Sequence, residues 1–177
     1  MTTIAIYGSA MPRPGDIIYE ETRRLGYMLA QAGYAVMTGG YNGLMAAASH
    51  GANEAGGHVI GVTCIPLERA RGSKVNPWVK EIVACESLHE RVFELVGRAD
   101  AFVVMPGGLG TLNELVYTCE MMRAGDAPRR PVICYGKFWN DIIHDANITD
   151  YMHSDGWGDL HFSASPEAIL AALKTHA

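Results

Sequence analysis

Residues 101–114 read AFVVMPGGLGTLNE, and the order of residue types there is suited to holding an anion. Ala101 to Met105 is a short apolar run of the kind that forms a buried strand, and it stops at Pro106. Gly107, Gly108 and Gly110 then allow a tight turn, some of them with positive φ, into a helix that is expected to begin near Thr111. The first N–H groups of a helix lack intrahelical partners and carry roughly +0.5 charge. Without Cβ atoms in the way, a phosphate could approach those amides, and Thr111 would add a hydroxyl. The same letters have a second reading. Thr111-x-x-Glu114 fits a capping box, in which Glu114 would only fasten the helix start. The roles could also be divided, with Thr111 facing a ligand and Glu114 left for chemistry.

Two more glycine turns follow apolar runs, Gly8-Ser9 and Gly39-Gly40. Other nucleotide signatures do not fit. Gly136-Lys137-Phe138 lacks the rest of a G-x-x-x-x-G-K-[ST] loop, and Gly8-Ser9-Ala10 is not the start of G-x-G-x-x-G. Thr38-Gly39-Gly40 offers no acidic residue for a ribose hydroxyl, which argues against dinucleotide binding. Lys74, Lys80, Lys137 and Lys174 lie in no evident cofactor pocket, so no pyridoxal phosphate, and no cofactor at all, is expected. Cys64, Cys85, Cys119 and Cys134 form no C-x-x-C pair and lack metal-ligand spacing. Asp141, His144 and Asp145 share a helix face, read as a solvated polar face rather than a metal site. His50, His58, His89 and His153 have no partners recognisable by spacing, and Trp78, Trp139 and Trp157 read as core or interface anchors.

The elements that must position these turns alternate. Strands are expected at Thr3–Tyr7, Tyr34–Met37, His58–Val62, Lys80–Cys85, Ala101–Met105, Pro131–Tyr135 and Leu160–Phe162. Helices are expected over residues 16–32, 43–55, from Ser87 with Glu90 as a capping box, 110–123, 137–147 and from Pro166. Residues 63–79, with Pro66, Gly72 and Pro77, read as irregular. Continuous apolar strands between helices imply a mainly parallel sheet covered on both faces. The expected fold is a single α/β, Rossmann-like domain over residues 1–177. Ligands of such folds bind outside the carboxyl ends of the strands, where all three glycine turns fall.

Composition narrows the partners. With 49% hydrophobic and 19% charged residues in 177, the chain reads as globular rather than disordered. The formal net charge is −5 with no basic stripe, so nucleic acid is not expected. No apolar run approaches the roughly 20 residues of a membrane span, and no leader-like start is read at Met1. Scattered thiols fit a reducing compartment, and a cytoplasmic location is expected.

Three segments resemble one family. Pro106-Gly107-Gly108-Leu109-Gly110-Thr111-Leu112-Asn113-Glu114 matches the P-G-G-x-G-T-x-x-E motif of the LOG (Lonely Guy) proteins. Gly39-Gly40-Tyr41-Asn42-Gly43-Leu44-Met45 is similar to their G-G-x-x-G-L-M, and residues 56–62, GGHVIGV, to their G-G-x-V-I-G-V. The resemblance runs in order along nearly the whole chain. It implies cytokinin riboside 5′-monophosphate phosphoribohydrolase activity: cleavage of the N-glycosidic bond of a nucleoside 5′-monophosphate. AMP or an N6-modified AMP would be the substrate, the chain would be a homodimer, and the sites would lie near its interface. Phosphate and substrate would be held by Gly8, Ser9, Gly40, Gly107, Gly108, Gly110 and Thr111. The family's M-x-x-R-K segment corresponds to Leu88-His89-Glu90-Arg91-Val92. Arg91 is kept, and with Glu114 it is assigned to catalysis. Leu88 keeps an apolar contact to substrate, whereas Val92 replaces a lysine and so removes a charge. A rival reading is a non-catalytic carrier or sensor of a phosphorylated ligand, because molybdenum-cofactor carrier proteins look similar and use a related glycine loop.

Overall fold

The computed structural model describes residues 1–145, 157 and 160–175, with 144 and 145 described by their backbone only. Strands and helices alternate along the chain. They are β1 (Thr3–Tyr7), α1 (Ile17–Gln31), β2 (Ala35–Thr38), α2 (Leu44–Glu54), β3 (Val59–Cys64), α3 (Ile65–Arg71) and β4 (Glu81–Cys85), followed by α4 (Leu88–Arg98), β5 (Ala101–Val104), α5 (Leu109–Ala124), β6 (Val132–Tyr135), α6 (Phe138–Asp145), β7 (Leu160–Ser163) and α7 (Pro166–Thr175). The strands form one sheet in the order β4-β3-β2-β1-β5-β6-β7. Every pairing is parallel.

Period two along the strands divides the core. From β1, Ala5 and Tyr7 face one layer with Val92 and Leu95 of α4, Leu115 of α5 and Trp139 of α6. Ile4 and Ile6 face the other, with Leu25 and Leu29 of α1, Leu44 of α2 and Ile169 of α7. The sheet is therefore covered on both sides, which is why its strands lack the apolar-polar alternation of a half-exposed sheet. The exceptions are the two edge strands, β4, whose residues are mostly exposed, and β7, none of whose residues is buried.

The chain winds outward from β1 to β4 and then crosses back to β5 on the other side of β1. That reversal opens a crevice at the carboxyl ends of β1 and β5. The Ser9 amide donates to the Pro106 carbonyl at 3.1 Å and ties the two turns together there.

One expected element differs. Residues 63–79 are not irregular throughout, because β3 continues to Cys64 and α3 follows at once. Pro66 lies in the first turn of α3, where its missing N–H leaves no hydrogen bond unmade. Gly72 ends the helix in the left-handed conformation, with φ 61°.

Candidate functional site

Helix α5 begins at Leu109 with Gly108 as its N-cap, and no side chain caps it. The start falls ahead of Thr111, which is already the third helical residue, so the capping-box reading of Thr111 and Glu114 does not hold. Glu114 lies three residues further on, about 4.5 Å along the axis, and turns toward α4. None of Gly107, Gly108 and Gly110 takes the positive φ expected of some of them. At Gly107 the constraint is space, since a Cβ there would stand 2.6 Å from Cβ of Thr111.

Helix α4 is a true capped helix. Ser87 Oγ accepts from the Glu90 amide at 3.1 Å, while Glu90 reaches back to the amide of Glu86 at 2.7 Å. This fixes the first turn, and Arg91 follows on its inner face. Arg91 Nε donates to the Val62 carbonyl of β3 at 2.8 Å, and Nη1 donates to Glu114 Oε1 at 3.1 Å. Its Cζ lies 5.8 Å from the centre of the Tyr41 ring. Arg91 and Glu114 are 7% and 8% exposed, so the pair is desolvated but not sealed. Burial pushes the Glu114 carboxyl above its ordinary range, and the Arg91 guanidinium pulls it back only in part. The Glu114 carbonyl accepts from Thr118 Oγ1 at 2.7 Å, and that hydroxyl meets Tyr7 Oη at 3.1 Å, which anchors the turn of α5 to β1.

The pair lies in a cleft of about 830 Å³. Gly8 and Ser9 from the β1 turn, Leu88 and Arg91 from α4, and Gly108, Gly110, Thr111 and Glu114 from α5 all line it. Two expected residues stand behind the wall. Gly107 carries the Thr111 side chain. Gly40, at φ 79°, presents its carbonyl to Asn76, accepting from the amide at 2.9 Å and from Nδ2 at 3.1 Å. Val92 both packs in the core and lines the cleft, so the wall is apolar at this position.

Sequence reasoning did not single out Tyr41, Asn113, or the Leu67, Arg71 and Ser73 wall. Tyr41 sits inside a quoted motif and was legible there. The wall was hidden by reading α3 as irregular. Among the other residues considered, His50 stacks on Trp78 with ring centres 4.2 Å apart, and His58 pairs with Glu81 at 2.8 Å. His89 lines the cleft and meets Tyr117 edge-on at 6.1 Å. Trp139 is buried and donates from Nε1 to the Met105 carbonyl at 3.0 Å, and Trp157 packs against the same core layer. Asp141 is exposed, whereas the side chains of His144 and Asp145, and His153, lie outside the described residues. Among the described residues no cluster of three His, Cys, Asp or Glu groups is placed to hold a metal, and no helix is long and apolar enough to cross a membrane.

With this geometry in view, comparison with known proteins becomes specific. The family model described as the SLOG cluster4 family matches residues 1–169. The chain is 39% identical over 125 residues to "Cytokinin riboside 5'-monophosphate phosphoribohydrolase LOG" of Oryza sativa subsp. japonica, covering 69% of this chain and 50% of the relative. It is 31% identical over 139 residues to the Mycobacterium tuberculosis protein of the same activity name, covering 77% and 73%. The chain thus spans half or less of the first plant relatives it matches. Among solved structures, the molybdenum cofactor binding protein from Rippkaea orientalis superposes with a TM-score of 0.75 at 24% identity, covering 98% of this chain and 96% of that one. The molybdenum cofactor carrier protein from Chlamydomonas reinhardtii gives 0.73 at 22%, covering 99% and 97%. Those two likenesses concern the fold alone. The family match along residues 1–169, with LOG-type relatives above 30% identity, means that the chain belongs to the SLOG cluster4 family of LOG-type proteins.

Proposed function

We propose that the protein is a nucleoside 5′-monophosphate phosphoribohydrolase, releasing free base and ribose 5-phosphate from AMP or an N6-modified AMP. The observation that carries this reading is the buried Arg91–Glu114 pair in the same cleft as the start of α5. The 5′-phosphate would rest on the α5 amides and Thr111, beside Gly8 and Ser9. The short step along the helix from Thr111 to Glu114 matches the step from phosphate to ribose. Water would attack C1′ while the bond from C1′ to the base breaks. The proton from water would pass to Glu114, and the leaving nitrogen would be protonated in turn by the Glu114 carboxylic acid, directly or through solvent, which returns the carboxylate to its starting form. A carboxylate there also faces the positive charge that gathers on an oxocarbenium-like ribose. Its raised pKa makes it a better base, and Arg91 holds it in place.

The names of the LOG-type relatives support the reaction class. A homodimer fits the exposed apolar residues on the two helices that contribute to the cleft, Leu88 and Phe93 on α4 and Leu109 and Val116 on α5. Four buried thiols suit a reducing, cytoplasmic setting. The test is incubation with AMP and with N6-isopentenyladenosine 5′-monophosphate, followed by chromatography. Equal amounts of base and ribose 5-phosphate are expected. Tight nucleotide binding without release would replace this reading by a carrier or sensor.

A further inference from the structure

We infer that Gly39 is a positioning residue, whose missing side chain leaves the notch that seats the Arg91 guanidinium against Glu114. The inference rests on the proposed hydrolase only for its kinetic arm. A Cβ at residue 39 would overlap Nη2 of Arg91 and stand 3.1 Å from its Cζ and 2.7 Å from Sδ of Met45. Real Cβ atoms essentially never come within 3.0 Å of another heavy atom, as this one would of Nη2 and Sδ, and the guanidinium has little room to yield. Its Nε is engaged by the Val62 carbonyl, its Nη1 by Glu114, and its plane lies near the Tyr41 ring.

The adjacent glycine sharpens the point. Gly40 has φ 79°, a backbone that favours glycine whatever surrounds it. Gly39 is not in that left-handed region, so alanine would suit its backbone. Glycine at the end of β2 adds conformational freedom that folding must remove, with no turn geometry requiring it. The close approach of Arg91 accounts for it. One glycine of the pair shapes the chain, and the other makes space for a functional side chain arriving from α4.

A side chain at 39 would push the guanidinium away from the carboxylate. Glu114 is faced by Arg91 from α4 and by the Tyr7 hydroxyl from β1, and Arg91 is the cation opposing the effect of burial. Displacing it would raise the carboxyl further, as removing Arg91 would.

The test compares wild type, Gly39→Ala, Arg91→Ala and the double variant. In Gly39→Ala, kcat is expected to fall about tenfold or more while AMP affinity stays within about twofold. The acid limb of its pH profile moves upward. Titration of the Glu114 carboxyl by infrared difference against Glu114→Gln reads the same shift without turnover. Adding Gly39→Ala to Arg91→Ala should change neither readout further. Wild-type kcat and an unmoved carboxyl titration in Gly39→Ala would overturn the inference. If Gly39→Ala does not fold, recovery in the Arg91→Ala background supports the notch, and recovery only with Met45→Ala overturns it. If wild type releases no base but the carboxyl still shifts, the notch stands and the hydrolase reading fails.

Discussion

Nη1 of Arg91 stands 3.1 Å from Oε1 of Glu114, and the two residues come from helices on either side of β5. A buried ion pair of this kind adds little net stability, because desolvation offsets much of the attraction. Removing one partner is nonetheless costly, about 3–5 kcal/mol, since the other charge is left buried. The pair therefore constrains more than it stabilises. It keeps a partly desolvated carboxylate at a fixed place in an open cleft, which is what a proton acceptor beside a sugar requires.

Glu114→Gln keeps the shape and the hydrogen bond to Arg91 but cannot accept a proton. Turnover of AMP should fall by about a hundredfold or more, while calorimetry should find nucleotide affinity nearly unchanged. Full activity in this variant would remove Glu114 from the mechanism.

The pH dependence follows from burial. Glu114 is held above the usual carboxylate range, and the proposed hydrolysis would need its ionised form. The acid limb of the rate profile should therefore lie above the ordinary glutamate value of about 4.3. Stability runs the other way. A carboxyl raised in the fold contributes stability below its unfolded pKa and loses that contribution as pH rises through its folded one. Glutamine does not titrate, so Glu114→Gln should gain melting temperature relative to wild type as pH rises through that window. A gap that stays constant with pH would contradict the raised carboxyl.

Much of the scaffold was legible because all but the edge strands are runs of buried apolar residues, and such runs announce themselves. Thr3 to Tyr7 is a strand with both faces covered, and between Thr3 and the Tyr7 hydroxyl its side chains are all apolar. Helix α3 was not legible, because Pro66 and the charges at Glu68, Arg69 and Arg71 look like loop chemistry until Pro66 is placed in a first turn. The glycine loop could be found from its letters, but its function could not be separated from capping. That separation depended on where α5 begins, a two-residue matter that periodicity does not resolve. The partner of Glu114 lies 23 residues earlier, and the notch for Arg91 lies in the turn just after β2. Contacts between distant elements leave no local pattern, so only a family motif pointed at Arg91, and Gly39 could be read as part of a glycine turn but not as the seat of Arg91.

Asn76 holds the β2 turn from outside. Its Nδ2 donates to the carbonyls of Gly40 and Tyr41, both at 3.1 Å, and its Oδ1 accepts from the Trp78 amide at 3.2 Å. Asn76→Ala would leave the Tyr41 carbonyl and the Trp78 amide without their side-chain partner, while the Gly40 carbonyl keeps the backbone amide of residue 76, a loss of about 1–3 kcal/mol. Thermal melts should show it, and kcat should fall with it, because Tyr41 and Gly39 both bear on Arg91. A destabilised variant with unchanged kcat would confine Asn76 to folding.

In the proposed mode of binding Thr111 meets the phosphate. Its side chain is buried over Gly107 yet lines the cleft. Thr111→Val preserves volume and deletes the hydroxyl donor. AMP affinity should weaken by about tenfold, the value of one hydrogen bond to a charged group, whereas adenosine affinity should hardly change. Equal losses for the two ligands would show that the hydroxyl does not meet the phosphate.

In the proposed mode of binding Val92 stands toward the departing base. It is 4% exposed, packs with Leu95 in the core layer and lines the cleft next to Arg91. Val92→Lys would bring an ammonium group into an apolar wall. Burying its stem and part of its charge should lower the melting temperature by several degrees, about 1–2 kcal/mol for a domain of this size. A cation in the cleft favours the ionised form of Glu114, so the acid limb should move to lower pH. It also disfavours a hydrocarbon substituent on the departing base, so the rate on N6-isopentenyladenosine 5′-monophosphate should fall relative to that on AMP. Paired progress curves over a pH series read both effects. An unchanged substrate ratio with a shifted limb would place Val92 beside the carboxylate but away from the base.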